Sequence, residues 1–439
     1  MKKMLASTVA ALVAGLFVSP SLAQSEKLQD GDRVAVLGDS ITEQKNYSVL
    51  IENYLLACQP AAKLQTVQFG WGGETTWDFA PRIASDVLWF KPTVATLAYG
   101  MNDGGYQPVD TKRLDKYKKN TRDIVRQLKA AGTRLIVVGG PGAVDADAFR
   151  TFTAKGPEAA TMYNATLKTF GDAAEQIAKD EHVAYADLHN IMAAAMTKFK
   201  QRYPDKSFVG NDGIHPDGVG HAVMAYAFLK AMGCDGDIGT ISVDFAAHTA
   251  DATAGHKVVT ADADGVTIES TKYPFQAPRN LDPAGISTAM DLVPFNDELN
   301  RFKLVVKNAP AGKTVHVTWS EITDAVDDAG KPVRPITVET DIDAARLAEG
   351  VNLSAIFPTT PFERAYAKLD HAVRSQQEME TPLHKEWLHN QARWTQQSPD
   401  AAEEFRELAE TGKHLDEKLR TVSAARVVPV QHRIKLEVR

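Results

Sequence analysis

The feature that most constrains the fold is a repeated alternation in the first half of the chain. Short apolar runs at residues 33–37, 64–69, 93–99, 134–138 and 183–188 are separated by helical stretches, and the first four runs lead into Gly38, Gly70, Gly100 and Gly139-Gly140. The intervening stretches keep apolar residues on one face, as with Tyr117, Ile124, Val125 and Leu128, or Tyr163, Leu167, Phe170, Ala174 and Ile177. Strands that alternate with helices in this way predict an α/β fold, a parallel sheet covered on both faces. Residues 219–233 add a last helix, led in by Pro216-Asp217-Gly218.

Near Cys234-Asp235-Gly236-Asp237 the pattern changes. Short β-like runs follow at 241–245, 266–270, 302–307 and 314–320, separated by turn residues such as Asn308-Ala309-Pro310-Ala311-Gly312. These predict a small β-sandwich. Residues 361–424 interrupt it with charged helical sequence: Leu383, Trp387 and Trp394 form one stripe, and Phe405, Leu408, Leu415 and Leu419 a second. Ser398-Pro399 between them has the pattern of a helix cap followed by proline at the first helical position. The reading is a helical hairpin inserted before a final strand within 426–438, its stripes serving as packing surface.

A chain of 439 residues, 44% hydrophobic and 24% charged, is globular and too long for one typical domain. Lys2 and Lys3, the apolar run 4–18 and the small-residue site Ser21-Leu22-Ala23 predict a signal peptide over residues 1–23. The run is shorter than the ~20 residues a spanning helix needs, which favours cleavage over anchoring. A catalytic domain over 24–238 and an accessory domain over 239–439 follow, in a periplasmic or secreted protein without stable membrane insertion. The net charge is −7. Loss of the two leader lysines leaves 47 of the 49 basic residues against 56 acidic ones, or −9. With no basic cluster to offset this, the charge argues against a nucleic-acid partner.

The chemistry concentrates at strand ends. Gly38-Asp39-Ser40-Ile41-Thr42 puts a hydroxyl where the first strand ends, and open α/β sheets bind ligands there. Gly70-Trp71-Gly72-Gly73-Glu74 leaves backbone N–H groups accessible after the second strand, as an oxyanion requires. Gly100-Met101-Asn102-Asp103 offers a side-chain donor after the third. Asp212-Gly213-Ile214-His215-Pro216 supplies an imidazole and, three residues before it, a carboxylate to orient it. Singly, each string reads equally well as a turn, a cap or a structural hydrogen bond. Together they place a nucleophile, two donor elements and an Asp–His pair on loops at one edge of one sheet.

These four blocks, in this order, resemble those of the SGNH (GDSL-type) serine esterases and lipases, over roughly residues 30–235. The resemblance implies a flavodoxin-like sandwich with strand order 2-1-3-4-5. It also implies Ser40 as nucleophile, His215 as base and Asp212 as its orienting group. The implied oxyanion hole consists of the Ser40 N–H, the Gly73 N–H and the Asn102 side chain, with the adjacent Gly72 as the alternative glycine. In that strand order the first and last helices share a face, which brings Cys58 near Cys234 and implies a disulfide between them; two separate buried thiols is the other reading. The accessory region is expected to pack on, or partly cover, the catalytic domain.

The expected activity is carboxylic-ester hydrolysis through a Ser40 acyl-enzyme, without metal or cofactor. The expected substrate is an ester of the acetylated-glycan class, cleaved by a carbohydrate O-acetylesterase. A short-chain lipase or lysophospholipase is the alternative, and a non-catalytic glycan-binding protein a further one. A metal phosphoesterase would have to recruit Asp39, Asp103, Asp212 and His215 as ligands. Trp71, Trp77 and Tyr106 lie in sequence near the glycine and asparagine blocks, and can serve either as sugar-stacking rings or as wall packing.

Overall fold

The computed structural model describes residues 27–277, 282–327 and 329–439, so the leader assigned to 1–23 lies outside the described residues. The first half runs β1 (Arg33–Gly38), α1 (Ser40–Glu43), α2 (Tyr47–Cys58), β2 (Gln65–Gln68), α3 (Thr76–Phe79), β3 (Val94–Ala98), α4 (Thr111–Ala130), β4 (Leu135–Gly139), α5 (Pro157–Asp180), β5 (Ala184–Ala186), α6 (Leu188–Arg202) and α7 (Gly218–Ala231). The five strands form one parallel sheet in the order β2-β1-β3-β4-β5. Side chains alternate across it, as the period of a strand requires. Val34 and Val36 face the core shared with α2 and α7, whereas Ala35 and Leu37 face the core shared with α4. Both faces are buried, so the strand runs read as continuously apolar. Among the described residues no helix is long and apolar enough to cross a membrane.

The second half holds two sheets. β6 (Asp237–Asp244), β7 (Thr249–Ala252), β10 (Arg301–Lys307) and β13 (Val351–Asn352) form a four-stranded sheet ordered β13-β10-β6-β7. β8 (His256–Asp262), β9 (Gly265–Ser270), β11 (Thr314–Ile322), β12 (Thr337–Asp343) and β14 (Val430–Val438) form a five-stranded sheet ordered β12-β11-β14-β9-β8. They meet where Phe302 of β10 stacks on Trp319 of β11 at 5.4 Å, and Trp319 Nε1 donates to His432 Nδ1 of β14 at 3.0 Å. The edge strand β12 alternates Thr, Glu and Asp outward, so it carries little of the apolar signal that marks the other strands.

The charged insertion forms helices Glu363–Pro382 and Ala402–Ala424, joined by a π-helical turn, Leu383–Leu388, and a short helix, Gln391–Gln397. The first arm docks on α2 and β2 through polar groups that burial forces into pairs. Gln376 Nε2 and Gln377 Nε2 donate to Glu52 at 2.8 and 2.7 Å, Ser48 Oγ to Gln377 Oε1 at 2.7 Å, and the Gln68 amide to Glu380 at 2.8 Å. The hairpin therefore packs on the first half as well as on itself.

Cys58 and Cys234 correct one expectation. Both lie beside Tyr54 in the core that α2 and α7 share, yet both are free thiols, 0% and 6% exposed. A disulfide needs matched Cβ directions at short range, which a common helix face does not by itself supply. Each packs instead as a small apolar group.

Candidate active site

α1 begins directly after β1, with Asp39 as its N-cap; the Asp39 carboxylate accepts from the Ile41 amide at 3.0 Å. This turn half-exposes the Ser40 side chain above the strand ends. Ser40 Oγ lies 2.8 Å from His215 Nε2, and His215 Nδ1 lies 2.6 Å from Asp212 Oδ2. Asp212 Oδ1 also accepts from the amides of Ile214, at 2.9 Å, and His215, at 3.0 Å. Burial alone would raise the Asp212 carboxyl, but the bonds from the His215 ring and from both amides hold it below the ordinary carboxylate value. An ionised Asp212 keeps the ring proton on Nδ1 and leaves the Nε2 lone pair for the serine hydroxyl.

The glycine block folds into a tight turn. Glu74 N donates to Trp71 O at 3.2 Å, and Gly73 takes φ +75° at the third position, where a side chain would be strained. At Gly70 a Cβ would lie 2.2 Å from the Glu43 amide, so the loop reaches α1 only because that residue is glycine. Among the described residues, neither the Ser40 nor the Gly73 amide donates to a protein acceptor. Asn102 joins this rim: its Nδ2 donates to Glu74 O at 3.1 Å, and its Oδ1 accepts from Tyr106 Oη at 3.0 Å. Tyr106 holds a left-handed backbone, φ +58°, to make that contact.

Three acidic residues lie beneath the rim. Burial pushes Asp39 up to about 7, with Asp103 and Glu74 adding to the effect. Asp103 is raised to about 6 by burial, against hydrogen bonds from the Thr76 hydroxyl and amide. Glu74 is gripped by Arg82. Each carboxylate is thus committed to a protein donor. Among the described residues no group of three or more His, Cys, Asp or Glu side chains is arranged to hold a metal ion.

The aromatic residues divide. Tyr106 orients Asn102. Trp77 turns to α4, with Lys116 Nζ 3.9 Å and Arg113 5.9 Å from its ring. Trp71 is enclosed by Arg82 and Lys385, each 4.9 Å from its ring, and by His389. Both tryptophan rings thus carry cations of the chain itself, and both stay half-buried.

Residues that sequence reasoning did not single out also reach the site. From the π-helical turn of the hairpin, His384 Nε2 contacts Gly70 O at 3.2 Å and Lys385 Nζ bonds Glu43 Oε1 at 2.5 Å. A cleft of about 510 Å³ opens beside His215, bordered by Gln44, Arg150 and, from the hairpin, Arg374. No local motif marks these residues.

Residues 36–223 match the GDSL-like lipase/acylhydrolase family. An acetylxylan esterase from Geobacillus stearothermophilus is 25% identical over 228 residues, 47% of this chain and 96% of that protein. The solved structure of a gut microbial diltiazem-metabolizing enzyme superposes with a TM-score of 0.69 at 22% identity, covering 94% of this chain and 98% of the other. That likeness shows a shared fold through both halves. The crystal structure of the Geobacillus acetylxylan esterase covers 47% of this chain, at 22% identity and a TM-score of 0.39.

Proposed function

We propose that this chain is an exported serine esterase that removes O-acetyl groups from carbohydrate, a reading supported by the match of residues 36–223 to the GDSL-like lipase/acylhydrolase family and by the acetylxylan esterase relative. The observation that carries the reading is the continuous line Ser40 Oγ, His215 Nε2, His215 Nδ1, Asp212 Oδ2, with contacts of 2.8 and 2.6 Å. Ser40 Oγ attacks the ester carbonyl as His215 Nε2 takes its proton. The carbonyl oxygen becomes an oxyanion between the Ser40 N–H, the Gly73 N–H and the Asn102 amide, each donor worth roughly 3 kcal/mol of barrier. His215 returns the proton to the leaving alcohol as the C–O bond breaks. Water then enters, gives a proton to His215 and attacks the acyl-enzyme; Ser40 leaves with that proton and the carboxylic acid is released.

Carbohydrate as the alcohol is supported by the acetylxylan esterase relative and by the polar cleft beside His215. Export rests on the leader read in residues 1–23. The test is Ser40→Ala, assayed on p-nitrophenyl acetate and acetylated xylan, with circular dichroism as the fold check. Loss of turnover by about a thousandfold or more is expected in a folded variant. Retention of most of the activity would remove Ser40 as nucleophile.

A further inference from the structure

The proton geometry divides the space around Ser40. The oxyanion must face Gly73 and Asn102, whereas the leaving oxygen must face His215 Nε2, the atom that protonates it. The alcohol part of an ester therefore lies on the His215 side. The cleft of about 510 Å³ is bordered by His215, whose Nε2 lies 2.8 Å from Ser40 Oγ, and by none of Ser40, Gly73 and Asn102. Its volume is within the ~300–1,000 Å³ of small-molecule sites, more than a simple alcohol fills.

Its walls are polar and come from both halves of the chain. Gln44 follows α1, Arg150 and Asn211 come from loops of the first half, and Arg374 reaches in from the hairpin. These side chains are set in place by neighbours. Gln44 Oε1 pairs with His221 Nε2 at 2.9 Å, which leaves its amide N–H groups for the cleft. Arg374 Nε donates to Asp370 at 2.8 Å, and Asp370 accepts from Asn53 of α2 at 2.7 Å, so the terminal guanidinium nitrogens of Arg374 remain for a ligand. Arg150 makes no ion pair among the described residues; its backbone amide donates to Asp212 O at 3.0 Å, which anchors it next to the Asp–His pair.

We infer that this cleft is the alcohol subsite, that Arg150 and Arg374 bind vicinal hydroxyls of a polyhydroxylated alcohol there, and that the C-terminal half thereby supplies part of the substrate specificity. Planar forks of donors fit paired hydroxyls, Asp370 offsets the Arg374 charge, and the carboxylates of Asp212 and Asp217 also line the cleft. A neutral polyol suits that balance better than an anion. Leu50, Pro216 and Ile286 are the apolar groups on the lining, too few to accept a lipid chain.

The inference rests on the esterase reading, so its test separates the two. Arg150→Gln and Arg374→Gln remove the fork and keep a polar side chain at open positions. In the Ser40→Ala background, which retains the cleft, calorimetric titration with O-acetylated xylotriose is expected to give saturable binding, weakened about tenfold or more by either arginine change. In the active protein, either change is expected to lower kcat/KM on O-acetylated xylotriose about tenfold more than on p-nitrophenyl acetate, whose leaving group is small and carries no hydroxyl pair. Arg374→Lys, which keeps charge but not the fork, should resemble Arg374→Gln. Binding and specificity ratio within about twofold of the parent in both variants would overturn the inference, as would absence of saccharide binding to Ser40→Ala. Binding that depends on both arginines in a protein that cleaves no ester would leave the subsite standing and remove the esterase reading alone.

Discussion

Replacing Arg82 by Met tests how the oxyanion loop is held. Arg82 is 4% and Glu74 6% exposed. The guanidinium forms a fork on Glu74, Nε to Oε1 at 2.5 Å and Nη2 to Oε2 at 2.7 Å, and also donates to Phe69 O at 3.0 Å. Glu74 follows Gly73, and its carbonyl fixes Asn102. Arg82→Met keeps the apolar stem against Trp71 and Phe79 but leaves a buried carboxylate with the Tyr99 hydroxyl, 2.7 Å away, as its remaining donor. Breaking one side of such a pair costs roughly 3–5 kcal/mol. The escape route gives a similar figure: neutralising a carboxyl with an ordinary value of ~4.3 costs about 4 kcal/mol at pH 7.

The pH dependence follows. A carboxyl raised in the folded state stabilises the fold fully below its unfolded value and loses that contribution as pH rises through its folded value. Burial already raises Glu74 in the parent despite Arg82, and loss of the guanidinium raises it further. The variant's deficit should therefore shrink as pH falls from about 8 towards 5, by up to ~1.4 kcal/mol per pH unit. Urea unfolding followed by tryptophan fluorescence at both ends of that range measures it. A deficit below about 1 kcal/mol at the higher pH, or one that does not change with pH, would refute the reasoning. Arg82→Lys, retaining charge without the fork, should fall between the two.

Two further predictions concern the contacts between halves and the thiols. Lys385→Met removes one of the two cations on Trp71 and the partner of Glu43 in an ion pair about a quarter exposed, worth roughly 0.5–1 kcal/mol. If that contact steadies the glycine loop, kcat on p-nitrophenyl acetate falls several-fold with little change in KM, and Lys385→Arg restores most of it; an unaltered kcat would separate the hairpin from the loop. Burial drives the Cys58 thiol up and pushes Cys234 up to about 12. Both should resist a thiol reagent in the native protein and react stoichiometrically in urea without reductant, and a missing pair of thiols in urea would restore the disulfide.

Much of the site is legible before folding. Ser40 and Asn102 occur in short strings at the ends of predicted strands, which a parallel sheet gathers at one edge, and Asp212 and His215 share a short string on the loop that leads into the last helix. The apolar runs reveal the sheet for the same reason: burial on both faces leaves no room for polar alternation. The second half is less readable because an edge strand such as Thr337–Asp343 carries no such constraint.

The sequence by itself determined the local chemistry: a helix cap at Asp39, a glycine that can turn at position 73, and a carboxylate three residues before an imidazole. Only the tertiary structure decided who else reaches that edge. Arg374 and Lys385 lie more than 300 residues from Ser40, on a hairpin whose own pattern announces packing and nothing more. Likewise Trp71 and Trp77, next to the site in sequence, receive on their rings cations from the hairpin, from Arg82 and from α4. Spacing along a chain fixes which groups share a turn. Which surfaces meet depends on the packing of all the others, since each apolar face must find a partner and each buried charge a counter-charge.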